Sequence, residues 1–211
     1  SGATNEKVLP AKLADELKQL AQKSGCTLFI LYLAAFNVLL SRYGAADDVV
    51  VGTPIAGRKR TELEGLIGFF VNTLALRTDL SGDPDFRTLL SRVKQTSLGA
   101  YAHQELPFEK LVEELRPERT MSHAPIFQVL FVLQHAVGDA QPFANLQTRS
   151  VRVPADTAKF DLSLYVTELR DGLSVLFEYN TDLFDGTTIE RLLDHFETLL
   201  GGIVAQPDAP I

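Results

Sequence analysis

Residues 27–44, which read TLFILYLAAFNVLLSRYG, constrain the fold of this chain more than any other stretch. Thr27 can act as the N-cap of a helix that runs to Tyr43, and Gly44 is expected to end the helix. This helix is apolar on nearly every side, so other elements must cover it. Its longest apolar run, residues 28–36, is far shorter than the roughly 20 residues that span a bilayer. The segment therefore predicts a buried helix in a globular core.

The rest of the chain alternates between helical and extended patterns. Apolar residues recur on one face at 10–24, and RDG at 170–172 joins two extended runs as a hairpin. This order predicts an α/β fold, a layered sandwich in which helices pack against one mixed β-sheet. The sequence predicts further helices from a start within 81–86 to about 102, at 107–115 and at 186–204. It predicts strands at 47–58, 65–80, 127–134, 149–153, 160–169 and 173–179, and a loop at 136–148. The first of these helices should have Pro84 near its first turn and should bury Phe86, Leu89, Leu90, Val93 and Leu98.

Composition excludes several classes of partner and compartment. The net charge of −7 is unfavourable for binding nucleic acid or an anionic membrane surface. The single cysteine, Cys26, cannot form an internal disulfide, so we expect a cytoplasmic protein. Because Cys26 precedes an apolar helix and has no evident base, it should be a small buried residue rather than a nucleophile. Residues 1–10 lack the basic and apolar regions of a signal peptide, and GRKR at 57–60 is expected to be a solvated loop.

No short catalytic or ligand-binding motif is present. The sequence contains no phosphate-binding loop, dinucleotide fingerprint, HExxH, CxxC or GxSxG. His103 could be a general base, or its imidazole could bond to the backbone at a helix end, and the pattern favours the structural role. No metal site is expected, because metal-ligand spacing is absent among the four histidines, His103, His123, His135 and His195.

Three motifs, in a fixed order, resemble one family. Residues 67–73 (IGFFVNT) are similar to IGxFVNT, and residues 103–109 (HQELPFE) are similar to HQDxPFE, with Glu105 in place of Asp. Residues 119–128 (RTMSHAPIFQ) are similar to RDxSRNPLFQ, with departures at Thr120, His123 and Ala124. These motifs resemble the C-terminal half of the condensation domain of nonribosomal peptide synthetases. The stretches VVVGTPIAGR (49–58), KFDLSLYV (159–166) and YNTDLFDGTTIERLLDHF (179–196) extend the resemblance over nearly the whole chain.

The resemblance implies a fold like that of chloramphenicol acetyltransferase, with two such lobes arranged in a V. Carrier proteins would bring phosphopantetheine thioesters into a tunnel between the lobes, where an amine attacks a thioester and a peptide bond forms. The catalytic histidine of the family lies in an HHxxxDG motif of the N-terminal lobe. This sequence has no HH pair, and Thr181 stands where the second histidine would precede Asp185-Gly186.

The resemblance therefore implies an isolated C-terminal lobe at residues 1–205, inactive alone, followed at 206–211 by the start of a linker toward an adenylation domain. It assigns the chain no catalytic residue and no directly bound cofactor, and it places HHxxxDG upstream. The implied partners are the N-terminal lobe, the donor and acceptor peptidyl carrier proteins and the adjacent adenylation domain. The residues implied at the tunnel or lobe interface are Gly68, Phe70, Val71, Asn72, Thr73, His103, Gln104, Pro107, Phe108, Glu109, Arg119, Ser122 and Pro125.

Some of these residues have two possible roles. Asn72 and Thr73 could line the tunnel or could tie a strand to a loop. Phe70 and Val71 should alternate between the faces of the sheet, and Gly68 should permit close backbone approach. Two further residues have local roles: Glu109 should favour the first turn of a helix, and Arg119 could pair with a carboxylate or lie exposed.

Other functions remain open from the sequence. The absent catalytic motif also suits a non-catalytic module that binds carrier proteins. A heterocyclisation relative is another candidate, because its DxxxxD motif would also lie in the other half. A third candidate is an acyltransferase that uses His103, with a second chain completing the site. The ordered motifs favour a peptide-forming condensation domain.

Overall fold

The computed structural model describes residues 1–58, 61–117, 124–135 and 156–211. Within these ranges the strands are β1 (Gly2–Pro10), β2 (Asp48–Ile55), β3 (Asn72–Asp79), β4 (Val129–His135), β5 (Leu162–Leu169) and β6 (Gly172–Asn180). The helices are α1 (Ala11–Lys23), α2 (Leu28–Gly44), α3 (Thr61–Glu64), α4 (Phe86–Ala102), α5 (Phe108–Leu115) and α6 (Gly186–Ala205). The strand predicted at 149–153 and the loop predicted at 136–148 lie outside the described residues.

The described strands form one mixed sheet in the order β1-β6-β5-β4-β2-β3. The pairs β1–β6, β5–β6 and β2–β3 are antiparallel, whereas β4 runs parallel to both of its neighbours, β5 and β2. The predicted hairpin is present, because Leu169 pairs with Gly172 and only two residues lie between them. The predicted α/β architecture with a mixed sheet is confirmed.

The core lies between this sheet and the helices, and α2 is its most buried helix. Every residue from Ile30 to Leu39 is buried, as the apolar pattern predicts. The Phe36 ring lies 6.2 Å from the Phe131 ring of β4 and 6.1 Å from the Phe177 ring of β6. The Thr27 hydroxyl accepts a hydrogen bond from the Ile30 N–H at 3.3 Å, so the predicted N-cap is also confirmed.

Among the described residues, no single helix has both the length and the apolar character needed to cross a membrane. The helices α1 and α2 meet that requirement only when they are taken together, and they are bent by 106° relative to each other.

The first strand, β1, is an element that the sequence pattern does not predict. Only Leu9 among its nine residues is buried, so the strand shows no run of apolar residues. It forms because its main chain pairs with β6 along its whole length, from Gly2 opposite Asn180 to Pro10 opposite Gly172. A strand held mainly by main-chain pairing at a sheet edge leaves little trace in side-chain hydropathy.

The β segment predicted at 65–80 is shorter than expected. Strand β3 begins only at Asn72. The expectation that Phe70 and Val71 alternate between sheet faces is therefore wrong, because both residues precede the strand. Residues 65–71 form a loop between α3 and β3, referred to below as the 65–71 loop.

Helix α4 follows the prediction at most positions. Asp85 is its N-cap and accepts a hydrogen bond from the Thr88 N–H at 2.7 Å, so Pro84 precedes the helix instead of lying in its first turn. Leu98 was expected in the core but is 55% exposed, because it lies outside the face that packs on the sheet. The remaining predicted core residues of this helix are buried, namely Phe86, Leu89, Leu90 and Val93.

Candidate functional site

The 65–71 loop carries the most exposed large apolar side chains of the described residues. Ile67 is fully exposed and Phe69 is 91% exposed, while Leu66 and Val71 are about half exposed. Clustered exposed apolar side chains on a globular domain commonly mark an interaction surface, because their contact with water is unfavourable. The loop is therefore a candidate interface.

Gly57 and Arg58 hold the base of the 65–71 loop. The Arg58 guanidinium donates hydrogen bonds to the main-chain oxygens of Leu63 and Leu66, the latter at 2.7 Å. The same group lies over the Phe70 ring, 4.3 Å from its centroid. Gly57 has a φ of +65°, and a Cβ at this position would overlap the Phe70 carbonyl oxygen. Only glycine therefore fits at residue 57 without moving the loop.

Two predictions about this segment need correction. GRKR was expected to be a solvated loop, but the Arg58 side chain is fixed by the contacts above; Lys59 and Arg60 lie outside the described residues. Close backbone approach was expected at Gly68, but Gly57 makes it, whereas at Gly68 the nearest group to an added Cβ is the Phe70 ring at 3.0 Å. The sequence signal for these two corrections was a glycine followed by an arginine, shortly after the end of β2.

Asn72 joins the first residue of β3 to the turn before α5. Its Nδ2 donates to the Gln104 carbonyl oxygen at 2.9 Å and to the Leu106 carbonyl oxygen at 2.8 Å. Its Oδ1 accepts from the Phe108 N–H at 3.1 Å. The Asn72 side chain therefore ties the strand to the loop, which is one of the two roles left open by the sequence. This side chain brings the IGFFVNT and HQELPFE motifs together.

A cavity of about 450 Å³ lies between the 65–71 loop and the start of α5. Glu105 and Glu109 give it an acidic edge, and Glu109 occupies the first turn of α5, as predicted. Gly68, His103 and Pro125 do not line it. Eight of the predicted site residues do line it, namely Phe70, Val71, Asn72, Thr73, Gln104, Pro107, Phe108 and Glu109.

An aromatic cluster connects this cavity to the third motif. The Phe127 ring lies 5.4 Å from the Phe108 ring and 5.5 Å from the Phe160 ring. Phe127 is buried, and it packs where a Cβ on Gly52 would lie. Four sequence stretches of the resemblance therefore meet in space. Pro125 is exposed beside this cluster, whereas Arg119 and Ser122 lie outside the described residues.

His103 lies at the C-terminal end of α4 and is exposed. Its main-chain N–H donates to the Ala100 carbonyl oxygen at 3.1 Å, and its carbonyl oxygen accepts from the Leu106 N–H at 3.0 Å. No described residue forms a hydrogen bond with the imidazole, so the main chain, and not the side chain, performs the structural role at this helix end. A general base needs an orienting partner, and none of the described residues supplies one.

We expect His103→Ala to change the free energy of unfolding by less than about 0.5 kcal/mol, because an exposed side chain without a partner is lost. Asn72→Ala is the contrasting variant, since it removes three hydrogen bonds to main-chain groups and should cost about 2 kcal/mol. Urea unfolding followed by circular dichroism measures both values. A loss of more than about 1 kcal/mol in His103→Ala would show that the imidazole has a structural partner.

Beyond the cavity, the described residues offer neither a metal-binding cluster nor an activated cysteine. No group of three histidine, cysteine, aspartate or glutamate side chains among them could hold a metal ion. Cys26 is half-buried, and this burial raises the pKa of its thiol, although nearby Lys94 partly opposes the effect. A raised thiol pKa disfavours the thiolate, which is the nucleophilic form. The expectation that Cys26 is buried is met only in part, because the residue is half-buried.

Comparison with known proteins identifies relatives over the whole chain. The family model described as "Condensation domain" matches residues 1–211. One of the linear gramicidin synthase proteins of Brevibacillus parabrevis is 52% identical over 212 residues, which cover 100% of this chain and 3% of that protein. Chondramide synthase of Chondromyces crocatus is 51% identical over 195 residues, which cover 92% of this chain and 5% of that protein. This chain therefore corresponds to a small part of much longer relatives.

The solved structures that share the fold include the following two. The X-domain in its complex with OxyB, from teicoplanin biosynthesis, matches with a TM-score of 0.88 and 30% identity, covering 100% of this chain and 47% of that one. The four-domain nonribosomal peptide synthetase AB3403, solved with AMP and glycine, matches with a TM-score of 0.89 and 27% identity. The match covers 100% of this chain and 17% of that one. The chain spans about half of the X-domain chain. These matches confirm the sandwich of the chloramphenicol acetyltransferase type that the motifs led us to expect.

Proposed function

The chain belongs to the condensation-domain family, and from this premise we propose that it is the C-terminal lobe of a condensation domain in a nonribosomal peptide synthetase. The observation that carries the assignment to one lobe is that the whole chain corresponds to 47% of the matched X-domain chain. The motifs IGFFVNT, HQELPFE and RTMSHAPIFQ support the C-terminal lobe in particular. The exposed 65–71 loop supports it, because a lobe separated from its companion would present apolar side chains where the two normally meet.

The proposed reaction joins two thioesters carried on phosphopantetheine arms of separate carrier proteins. The amine of the acceptor attacks the carbonyl carbon of the donor thioester, so a C–N bond forms as the C–S bond breaks. The amine proton leaves, and the donor thiol is released. The base or positioning group for the amine is the histidine of HHxxxDG, which this sequence lacks, so the companion lobe must supply it.

This chain would contribute the shape of the acceptor side of the tunnel. Arg58 and Asn72 fix the 65–71 loop and the turn before α5, and the cavity lies between these segments. A fixed wall lowers the entropy lost when a substrate arm is positioned for attack. The same proposal includes the partners of this chain, which are the N-terminal lobe, both carrier proteins and an adjacent adenylation domain. It also includes a cytoplasmic location.

A second candidate function is a platform for another protein, without chemistry of its own. The observation in its favour is the match to an X-domain that was solved in complex with OxyB. The exposed 65–71 loop would then contact a partner protein rather than a companion lobe. A contiguous HHxxxDG motif in the coding sequence upstream of Ser1 would rule out this candidate.

The experiment that tests the proposed function measures amide formation between two carrier proteins, each loaded with its own aminoacyl thioester. We expect no product above the uncatalysed rate from this chain alone, and turnover when an N-terminal lobe carrying HHxxxDG is added or fused. The control is the same N-terminal lobe without this chain. Turnover by this chain alone would contradict the proposal, and so would full activity of the N-terminal lobe on its own.

A further inference from the structure

The sheet has two faces of different character at β4, β5 and β6. On one face Phe131, Leu164 and Phe177 lie opposite one another in adjacent strands and belong to the hydrophobic core under the helices. Side chains alternate along a strand, so the preceding residue Ser163 and the following residue Glu178 point to the other face. These two residues pair directly across β5 and β6. Polar groups therefore lie side by side on the face away from the core.

Ser163 is an unusual residue for a stable sheet. Its side chain is 0% exposed, and its Oγ makes no hydrogen bond of normal geometry with any described residue. A buried hydroxyl without a hydrogen-bond partner is unfavourable, because it has lost its contacts with water. This hydroxyl therefore contributes nothing to stability that an alanine would not, and a ligand is one group that could satisfy it.

Tyr165 and Glu178 form a cluster with Ser163. Tyr165 lies two residues after Ser163 on the same face of β5 and is diagonal to Glu178. Burial and the Glu178 carboxylate raise the pKa of the Tyr165 phenol, and the Ser163 hydroxyl partly lowers it, so the three groups are close together. Glu178 is half-buried, and no described lysine or arginine forms an ion pair with its carboxylate.

The neighbouring carboxylate on this face differs, because it already has a partner. Glu6 of β1 lies opposite Leu176 and accepts a hydrogen bond from the Ser174 Oγ at 2.5 Å. The acceptors of the Ser163, Tyr165 and Glu178 cluster have no such bond from a described residue. The cluster is thus the place on this face where further hydrogen-bond donors are required.

The cluster is continuous with the candidate site described above. Leu130 of β4 lies between Ser163 and Gly52 in one row across the sheet. The Phe127 ring packs where a Cβ on Gly52 would lie, and this ring belongs to the aromatic cluster beside the cavity. Two strand spacings place Ser163 about 10 Å from Gly52. A substrate arm that follows the aromatic cluster can therefore reach the polar cluster.

The chemistry of the cluster suits a positively charged group with several N–H donors. The Glu178 carboxylate attracts a cation and accepts hydrogen bonds, and both hydroxyl oxygens can accept as well. A primary ammonium group carries three N–H donors and one positive charge. An anion would be repelled by the carboxylate, and an apolar group would leave the acceptors unsatisfied.

We propose that Ser163, Tyr165 and Glu178 form a binding site for a primary ammonium group. The identity of the group rests on the proposed function: it would be the α-ammonium of the acceptor aminoacyl thioester, held before it loses its proton. The three residues are positioning residues in this account, and the chemical step still requires the companion lobe. Substrates whose α-nitrogen carries no charge would bind this lobe more weakly.

The experiment titrates the 211-residue chain with alanyl-aminopantetheine, in which an amide replaces the thioester and prevents hydrolysis. Backbone amide shifts are followed by NMR at about pH 6.5, where the amine of the probe carries its proton. We expect saturable shifts centred on Ser163, Tyr165 and Glu178, with a Kd on the order of 1 mM. The N-acetylated probe is neutral and should bind about tenfold more weakly, because the charge-assisted hydrogen bond is lost.

Two substitutions test the residues themselves. Glu178→Gln keeps the shape of the side chain and removes its charge, so it should weaken binding of the cationic probe about tenfold. Ser163→Ala should weaken binding about threefold, whereas its midpoint of urea unfolding should stay the same or rise, since the hydroxyl has no partner to lose. The matched control is Glu190→Gln, an exposed position of α6 on the helical side of the sheet, which should leave the affinity unchanged.

Several results would overturn the proposal. Equal binding of the cationic and acetylated probes would show that charge is not recognised. Shifts centred on Glu105 and Glu109 would place the amine at the cavity edge instead, and the absence of saturable binding up to about 10 mM would show no site. A lowered urea midpoint in Ser163→Ala would assign the hydroxyl a structural role. The titration needs neither turnover nor a companion lobe, so it and the amide-formation assay can fail independently.

Discussion

Replacing Gly57 by alanine is expected to destabilise the domain by about 3 kcal/mol. Two effects add at this position. A φ of +65° is unfavourable for a residue with a side chain, and the added Cβ would overlap the carbonyl oxygen of Phe70, which cannot move without its loop. Scanning calorimetry should show a midpoint lowered by about 6–12 °C, given the size of the chain.

Gly99→Ala is the matched control for this substitution. Gly99 lies within α4, and apart from its own stretch of helix no atom lies within 4 Å of where its Cβ would be. Alanine has the higher helix propensity, so this variant should be unchanged or stabilised by about 0.5–1 kcal/mol. Equal midpoints for the Gly57 and Gly99 variants would contradict the close approach that holds the base of the 65–71 loop.

Replacing Phe69 by serine is expected to weaken binding of the companion lobe about 30-fold, which corresponds to about 2 kcal/mol. Phe69 is 91% exposed in this chain, so nearly all of its apolar area is available for burial in an interface. Burying a phenylalanine side chain contributes about 1.5–3 kcal/mol. Titration calorimetry with a separately produced N-terminal lobe measures the change in affinity.

Leu183→Ser is the control for Phe69→Ser. Leu183 is also a large exposed apolar residue, at 55%, but it follows β6, and three strands separate β6 from β3 in the sheet. Its substitution should leave the affinity unchanged and should not unfold the domain. If both variants weakened binding equally, the interface would not be centred on the 65–71 loop.

The central helix and the hairpin could be predicted from sequence because their determinants are local. A helix that is apolar on all sides must be buried, and every residue from Ile30 to Leu39 is. A three-residue turn signal between two apolar runs was sufficient to identify β5 and β6. Strand β1 could not be predicted because its stability comes from main-chain pairing with β6, which lies near the other end of the chain.

The site could be predicted only in part, for the same reason. Strand propensity in the apolar 65–71 stretch favoured a longer β3, but contacts from Arg58 and Gly57 hold those residues as a loop. The motif residues Asn72 and Phe108 were identified from sequence, yet the hydrogen bond that joins them emerges only when the chain is folded. Phe69, the most exposed aromatic side chain of the described residues, was absent from the predicted set.

Sedimentation velocity of the unaltered chain, alone and mixed with an N-terminal condensation lobe carrying HHxxxDG, tests the central claim most directly. The claim is that this chain is one lobe of a two-lobed condensation domain and that its exposed 65–71 loop faces the other lobe. We predict a 1:1 complex in the mixture, weakened by Phe69→Ser. Two species that sediment independently at every concentration up to the solubility limit would contradict it.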